Sequence, residues 1–96
     1  INSLHNLIKK NKNEVACIVM DLCAKYYPKK NFLNEVKKIA KKNRILLIFD
    51  EIITGFRLHP GGAQKYFGVT PDLSCFGKGI ANGFPLSALV GKRKYM

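Results

Sequence analysis

The stretch ILLIFDE, residues 45–51, decides the fold. A short apolar run that ends in charge is typical of a strand buried on both faces of a parallel sheet. A second run of this kind, DLSCFGKG at residues 72–79, delivers Lys78 just beyond its apolar part. Parallel strands end at one edge of a sheet, and ligands bind there. We therefore expect Asp50 and Lys78 to lie close together at that edge.

The residues around ILLIFDE complete an alternating pattern of strands and helices. A continuous apolar run from Val15 to Met20 predicts a strand that is covered on both faces, and Asn31 can cap a helix that runs to about Asn43. The order strand, helix, strand favours a parallel βαβ unit and hence an α/β fold. The other predicted elements are a helix from Ser3 to Lys10, a helical turn at Ala63 to Phe67, and strands at Leu73 to Phe76 and Ser87 to Val90.

The chain is strongly basic, with 17 Lys and Arg against 6 Asp and Glu. Many of these cations alternate with apolar residues on and around one predicted helix, which fits a solvated outer face or an anion-binding surface. No aromatic residues interleave with the cations from Lys37 to Arg44, which weakens a base-stacking role. We expect neither a nucleic-acid nor a membrane partner. The cluster comprises Lys29, Lys30, Lys37, Lys38, Lys41, Lys42 and Arg44.

Cysteine usage gives no sign of a disulfide framework or a zinc site. The three cysteines form no CxxC pair, and no histidine stands at ligand spacing to them. Cys17 and Cys75 fall in apolar strand runs, so we expect buried thiols in a reducing cytoplasm. We expect no metal site.

An acid and an amine at one sheet edge suit pyridoxal phosphate, which needs a lysine to form an imine and an acid to hold a ring proton. A rival interpretation is a nucleotide hydrolase segment that holds magnesium with Asp50 and Glu51. That class requires GxxxxGK followed by Ser or Thr, whereas residue 72 is Asp and residue 79 is Gly. A phosphate loop elsewhere in the protein would keep this reading open as a remote alternative.

Two longer stretches carry a specific resemblance. FDEIITGFR, residues 49–57, and GGAQKYFGVTPDLSCFGKGIANGFPLSALVGKRKYM, residues 61–96, resemble the class III, fold type I aminotransferases that depend on pyridoxal phosphate. The likeness covers about Val15 to Met96 and is greatest to glutamate-1-semialdehyde aminomutases. It implies that residues 1–96 are a fragment of the cofactor-binding large domain, with a mostly parallel, helix-covered sheet.

The resemblance also implies roles for three residues. Lys78 would be the catalytic lysine that forms a Schiff base with the cofactor and then moves a proton. Asp50 would pair with the protonated pyridine nitrogen, and Ile52 would pack against the ring face. The rest of the motif would shape the loop without taking part in chemistry, namely Thr54, Gly55, Phe56 and Arg57.

The implied function is amino-group transfer, either as an aminomutase or as an aminotransferase acting on a sugar or another carbonyl substrate. The implied full-length protein is a cytoplasmic homodimer with a small-molecule substrate. One departure bears on the substrate: the family often ends its earlier strand with Glu-Pro, where this chain has Met20 and Asp21.

Overall fold

A computed structural model of the chain describes residues 1–22, 26–29 and 31–96. Lys30 of the basic cluster therefore lies outside the described residues. Helices and strands alternate along the first half of the chain, and short strands and turns follow. The elements are α1 (Asn2–Lys10), β1 (Cys17–Asp21), α2 (Phe32–Lys42), β2 (Leu46–Asp50), α3 (Gly62–Tyr66), β3 (Leu73–Phe76) and β4 (Ala88–Gly91), with 3-10 turns at Lys78–Ile80 and Arg93–Tyr95.

The described strands form one mixed, mostly parallel sheet in the order β1-β2-β3-β4. β1, β2 and β3 run parallel, and β4 pairs antiparallel with β3. The predicted α/β class and parallel βαβ arrangement are confirmed. The antiparallel direction of β4 was not foreseen.

The core lies between α2 and the sheet. Leu33, Val36 and Ile39 recur at helical spacing and are buried, so α2 presents one apolar face to the sheet. On the sheet, Leu47 and Phe49 are almost fully buried and belong to the same cluster. This packing fixes β2, whose last residue is Asp50.

The prediction that β1 is covered on both faces, and that Cys17 is buried, is wrong for this structure. Cys17 is exposed, and Val19 is 62% exposed. The physical reason is position, because β1 is the edge strand of the described sheet and its residues alternate between exposed and half-buried. Cys75, on the inner strand β3, is half-buried.

Asp72 ties the strands together at the opposite end of the sheet from Asp50. Its N–H donates to the Leu47 carbonyl at 2.8 Å, and its Oδ2 accepts the Leu47 N–H at 3.0 Å. Its own carbonyl accepts the Lys92 N–H at 3.0 Å, and Lys92 Nζ contacts Oδ1. One residue thus fixes the relative positions of β2, β3 and the end of β4.

Candidate active site

Strands β2 and β3 are parallel neighbours and end at the same edge of the sheet, as expected. Asp50 is the last residue of β2 and lies opposite Cys75 of β3 in the parallel register. The Glu51 N–H extends this pairing by donating to the Cys75 carbonyl at 2.9 Å. Because β3 ends at Phe76, Lys78 emerges at the same edge of the sheet as Asp50.

Asp50 is half-buried, and its carboxylate is held in a fixed orientation. Oδ1 accepts the backbone N–H of Ile52 at 3.0 Å, which closes a tight turn directly after the strand. Among the described residues, Oδ2 has no hydrogen-bond partner. One carboxylate oxygen therefore positions the loop, and the other remains able to accept a further hydrogen bond.

Lys78 is exposed and has an unusual backbone conformation. Its φ is +42°, a region that lysine rarely adopts and that costs on the order of 1 kcal/mol. A 3-10 turn holds it there, since the Lys78 carbonyl accepts the N–H groups of Ala81 at 3.2 Å and Asn82 at 3.0 Å. No acidic side chain in the described residues forms an ion pair with its amine. A strained lysine with an unpaired amine is typical of a functional position.

The backbone around Lys78 packs directly on the loop that follows Asp50. A Cβ added to Gly77 would lie 3.3 Å from Cγ2 of Ile52, and one added to Gly79 would lie 2.9 Å from the Gly55 carbonyl oxygen. Glycine is needed at residue 79 because a side chain would collide with that carbonyl. The structure thus brings the two sequence motifs into contact.

A ring pair reinforces this contact. Phe56 in the loop and Phe76 at the end of β3 have ring centroids 5.7 Å apart. Aromatic pairs at this distance contribute about 0.5–1.5 kcal/mol beyond burial. The loop after Asp50 and the turn that holds Lys78 therefore form one packed unit, with Ile52 on the side of Gly77.

The loop is anchored from beneath by Glu51, a role that the sequence did not suggest. Its carboxylate is fully buried and accepts hydrogen bonds from the Ala63 N–H, the Gln64 N–H at 2.9 Å and the Thr54 hydroxyl at 3.0 Å. Charged acceptors at the N-terminus of a helix satisfy N–H groups that otherwise lack partners. The expected loop-shaping role of Thr54 is confirmed by its bond to Glu51.

The same contacts argue against the magnesium alternative. Glu51 is fully buried and both of its carboxylate oxygens accept hydrogen bonds from the protein, which disfavours its use as a magnesium ligand. Within residues 1–22, 26–29 and 31–96, no group of three or more His, Cys, Asp or Glu could hold a metal. In that same part of the chain, every helix is too short or too polar to span a bilayer.

An α/β sheet that presents a carboxylate and a strained lysine at one edge defines an enzyme-like ligand site. A family model described as aminotransferase class-III matches residues 1–96, so this chain belongs to the class-III aminotransferase family.

Several curated relatives share one name. The chain is 49% identical over 100 residues to the glutamate-1-semialdehyde 2,1-aminomutase of Methanobrevibacter smithii, and 46% identical over 99 residues to that of Nitrosopumilus maritimus. These alignments cover 98% and 100% of this chain but only 23% of each relative. The chain therefore spans about a quarter of the length of these proteins.

Solved structures give the same family. An omega-transaminase from Sphaerobacter thermophilus superposes with a TM-score of 0.90 at 36% identity, over 98% of this chain and 22% of that one. The FumI protein of Sphingopyxis sp. MTA144, solved in its PLP internal aldimine form, gives a TM-score of 0.88 at 29% identity, over 97% and 24% of the two chains. The fold of this segment is that of a transaminase.

Proposed function

We propose that the full-length protein catalyses pyridoxal-phosphate-dependent amino-group transfer and acts most like a glutamate-1-semialdehyde aminomutase. Pyridoxal phosphate is the cofactor that the family match and the PLP-containing neighbour indicate. The observation that carries the proposal is the joint placement of Asp50 and Lys78 at one sheet edge. We further propose that residues 1–96 are part of the cofactor-binding large domain.

The described residues fit this cofactor. Asp50 is half-buried, and one of its carboxylate oxygens has no hydrogen-bond partner among the described residues. The amine of Lys78 is exposed and unpaired in that same part of the chain, and the aliphatic side chain of Ile52 lies beside Gly77 at the same edge. These are the chemical groups that the ring nitrogen, the aldehyde and the ring face of pyridoxal phosphate require. When bound, pyridoxal phosphate supplies an electron sink for the negative charge that develops at the substrate Cα.

Lys78 would both bind the cofactor covalently and transfer a proton. Its Nζ would attach to the cofactor aldehyde in the absence of substrate. Once a substrate amine has taken its place there, the freed Nζ would move a proton between the substrate Cα and the C4′ carbon of the cofactor. An amine needs freedom from ion pairs to do this. The exposed Lys78 amine has no acidic partner among the described residues, which supports the assignment.

Asp50 and Ile52 would orient the ring. The Asp50 carboxylate holds a proton on the pyridine nitrogen, and a pair of opposite charges about 4 Å apart contributes about 4 kcal/mol at an effective dielectric of 20 before desolvation. Ile52 packs against the ring face. Because Ile52 also contacts Gly77, its position is coupled to that of the neighbouring lysine.

The substrate assignment rests on sequence similarity. The aminomutase relatives are 44–49% identical to this chain, whereas the transaminases of known structure are 25–36% identical. This difference favours the intramolecular reaction, in which both half-reactions act on one molecule. The second candidate function is that of a class III aminotransferase that acts on a sugar or another carbonyl substrate. The TM-score of 0.90 to an omega-transaminase supports this alternative.

We also propose a cytoplasmic homodimer that acts on a small molecule and has no nucleic-acid or membrane partner. Exposed apolar side chains on β4 and just before it support a subunit interface, since Leu89 is 50% exposed and Phe84 is 79% exposed. Sedimentation analysis of the full-length protein would measure the assembly. A monomer at micromolar concentration would contradict the dimer.

The test of the chemistry is reductive trapping. We expect borohydride treatment of the full-length, cofactor-loaded protein to place a pyridoxyl mass on the peptide that contains Lys78. Lys78→Ala should remain able to bind the cofactor but lose turnover, whereas Lys10→Ala, an exposed change on α1, should match the wild type. A pyridoxyl group on another lysine would overturn the assignment.

The reaction class needs a separate measurement. An aminomutase converts glutamate-1-semialdehyde to its isomeric amino ketone without an added amino acceptor. An intermolecular aminotransferase needs a second, carbonyl substrate for each cycle. Turnover that depends strictly on an added carbonyl compound would identify the protein as an intermolecular aminotransferase and contradict the aminomutase assignment.

A further inference from the structure

A basic cleft lies at the end of the sheet opposite Asp50 and Lys78. It has a volume of about 360 Å³, and its floor is the start of β2 together with the segment before β3. Leu46 to Asp50 is one short strand, so roughly 13 Å of β2 separates this end from the proposed cofactor edge. The lining includes Lys37, Lys41, Arg44, Thr70, Asp72, Lys92, Lys94 and Tyr95.

One wall is a row of cations at the end of α2. Lys37 and Lys41 are one helical turn apart, and Arg44 follows three residues later. Side chains four residues apart on a helix are about 5–6 Å apart at Cβ, so these charges line the same side of the cleft. All three are exposed, and none has an acidic partner within ion-pair distance in the described part of the chain.

The segment after β4 also lines the cleft. Lys92 contacts Asp72, the only acid among the described lining residues, and that carboxylate also accepts the Leu47 N–H. Lys94 lies with Nζ 4.5 Å from the centre of the Tyr95 ring. The described lining thus contains five cationic side chains and one acidic side chain, so its formal charge is +4.

We propose that this basic cleft binds a compact polyanion that carries two or more phosphate groups. Several cations that line one cleft can contact neighbouring phosphates together, and a charge-assisted hydrogen bond to an anion is about twice as strong as a neutral one. A nucleic acid is the less favoured ligand, because Tyr95 is the one aromatic residue among the described lining residues and Lys94 Nζ already lies over its ring. The proposal does not depend on the assigned chemistry at Lys78.

The test uses isothermal titration of the full-length holoenzyme with inorganic tripolyphosphate at low ionic strength. The cleft variant is Lys37→Gln with Lys41→Gln, and the control is Lys38→Gln with Lys42→Gln. Both remove two exposed charges from the same helix, but the control pair does not line the cleft. We expect saturable binding that weakens about tenfold or more in the cleft variant and less than about twofold in the control.

Three results would overturn the proposal: no saturable binding of tripolyphosphate, equal weakening in both variants, or tighter binding of a single-stranded oligonucleotide at the same site. Cofactor absorbance and reductive trapping at Lys78 are measured on the same variants. We expect both to stay unchanged, because the cleft is at the other end of the sheet. A failure of the cleft proposal is thereby separated from a failure of the proposed chemistry.

Discussion

Asp50 accepts the backbone N–H of Ile52 through Oδ1 at a distance of 3.0 Å. The residue proposed to hold the ring nitrogen and the residue proposed to cover the ring face are therefore parts of one turn. Because Ile52 also lies against Gly77, a movement of this turn would disturb the backbone next to Lys78. The proposed groups of the site are mechanically coupled.

This coupling makes Asp50→Asn the informative substitution. Asparagine retains an oxygen for the Ile52 N–H but cannot hold a proton on a pyridine nitrogen by charge. If about 3 kcal/mol of transition-state stabilisation is lost, kcat/KM falls about 100-fold. Steady-state kinetics of the full-length protein would measure the fall, and the absorption spectrum of the bound cofactor would report the changed ring electronics.

A matched control exists at the other end of the same sheet. Asp72→Asn makes the same chemical change far from the proposed cofactor edge. We expect its kcat/KM and cofactor spectrum to stay close to those of the wild type. Equal kinetic losses in the two variants would mean that Asp50 acts through stability alone.

The hydrophobic runs were sufficient to predict strands β2 and β3 and the placement of Asp50 and Lys78 at the same edge of the sheet. Those features follow from local pattern and from the geometry of parallel sheets. The role of Glu51 was not predictable, because its main-chain partners lie 12 and 13 residues further along and nothing local marks them. The exposure of Cys17 was also missed, since an apolar run does not reveal whether its strand lies at an edge.

The buried anchor beneath the site can be tested with Glu51→Ala. The change leaves the Ala63 and Gln64 N–H groups and the Thr54 hydroxyl without their acceptor. Unsatisfied buried donors cost about 1–3 kcal/mol each, so we expect a loss of about 3 kcal/mol or more in the free energy of unfolding. Urea titration of the full-length protein gives this quantity.

Glu14→Ala is the control for that experiment, because Glu14 is exposed in the turn after α1. Exposed substitutions of this kind usually change stability by no more than about 0.5 kcal/mol. A loss of less than 1 kcal/mol for Glu51→Ala would contradict the anchoring role.

Alanine substitutions at two glycines can distinguish the cost of backbone strain from the cost of a steric collision. Gly62 and Gly68 have φ values of +77° and +68°, so alanine is strained at both positions. At Gly62 the new Cβ would lie 2.5 and 2.7 Å from the Glu51 carboxylate oxygens, whereas at Gly68 nothing lies within 4 Å. We expect Gly62→Ala to cost about 2 kcal/mol more than Gly68→Ala, because it also displaces the Glu51 hydrogen bonds. Similar unfolding midpoints in urea for the two variants would show that the collision relaxes freely.

The pH dependence of stability should report on Asp72. Partial burial acts to raise the pKa of Asp72, but the hydrogen bond from the Leu47 N–H and the contact with Lys92 outweigh it, so the pKa lies below its usual value. A lowered folded-state pKa stabilises the fold above the unfolded value of about 3.9. That stabilisation is lost as the pH falls through the folded-state pKa.

We therefore expect Asp72→Asn to destabilise the full-length protein by about 0.5–1 kcal/mol at pH 7, the range for an ion pair with one exposed partner. The gap to the wild type should begin to narrow as the pH falls below about 4 and should close as the pH falls through the lowered folded-state pKa, where the wild-type carboxyl becomes neutral as well. In a Lys92→Met background the gap at pH 7 should shrink, since the charged partner is gone. Urea titrations at several pH values test both expectations, and a gap that persists unchanged at pH 3 would show that the Asp72 charge does not stabilise this end of the sheet.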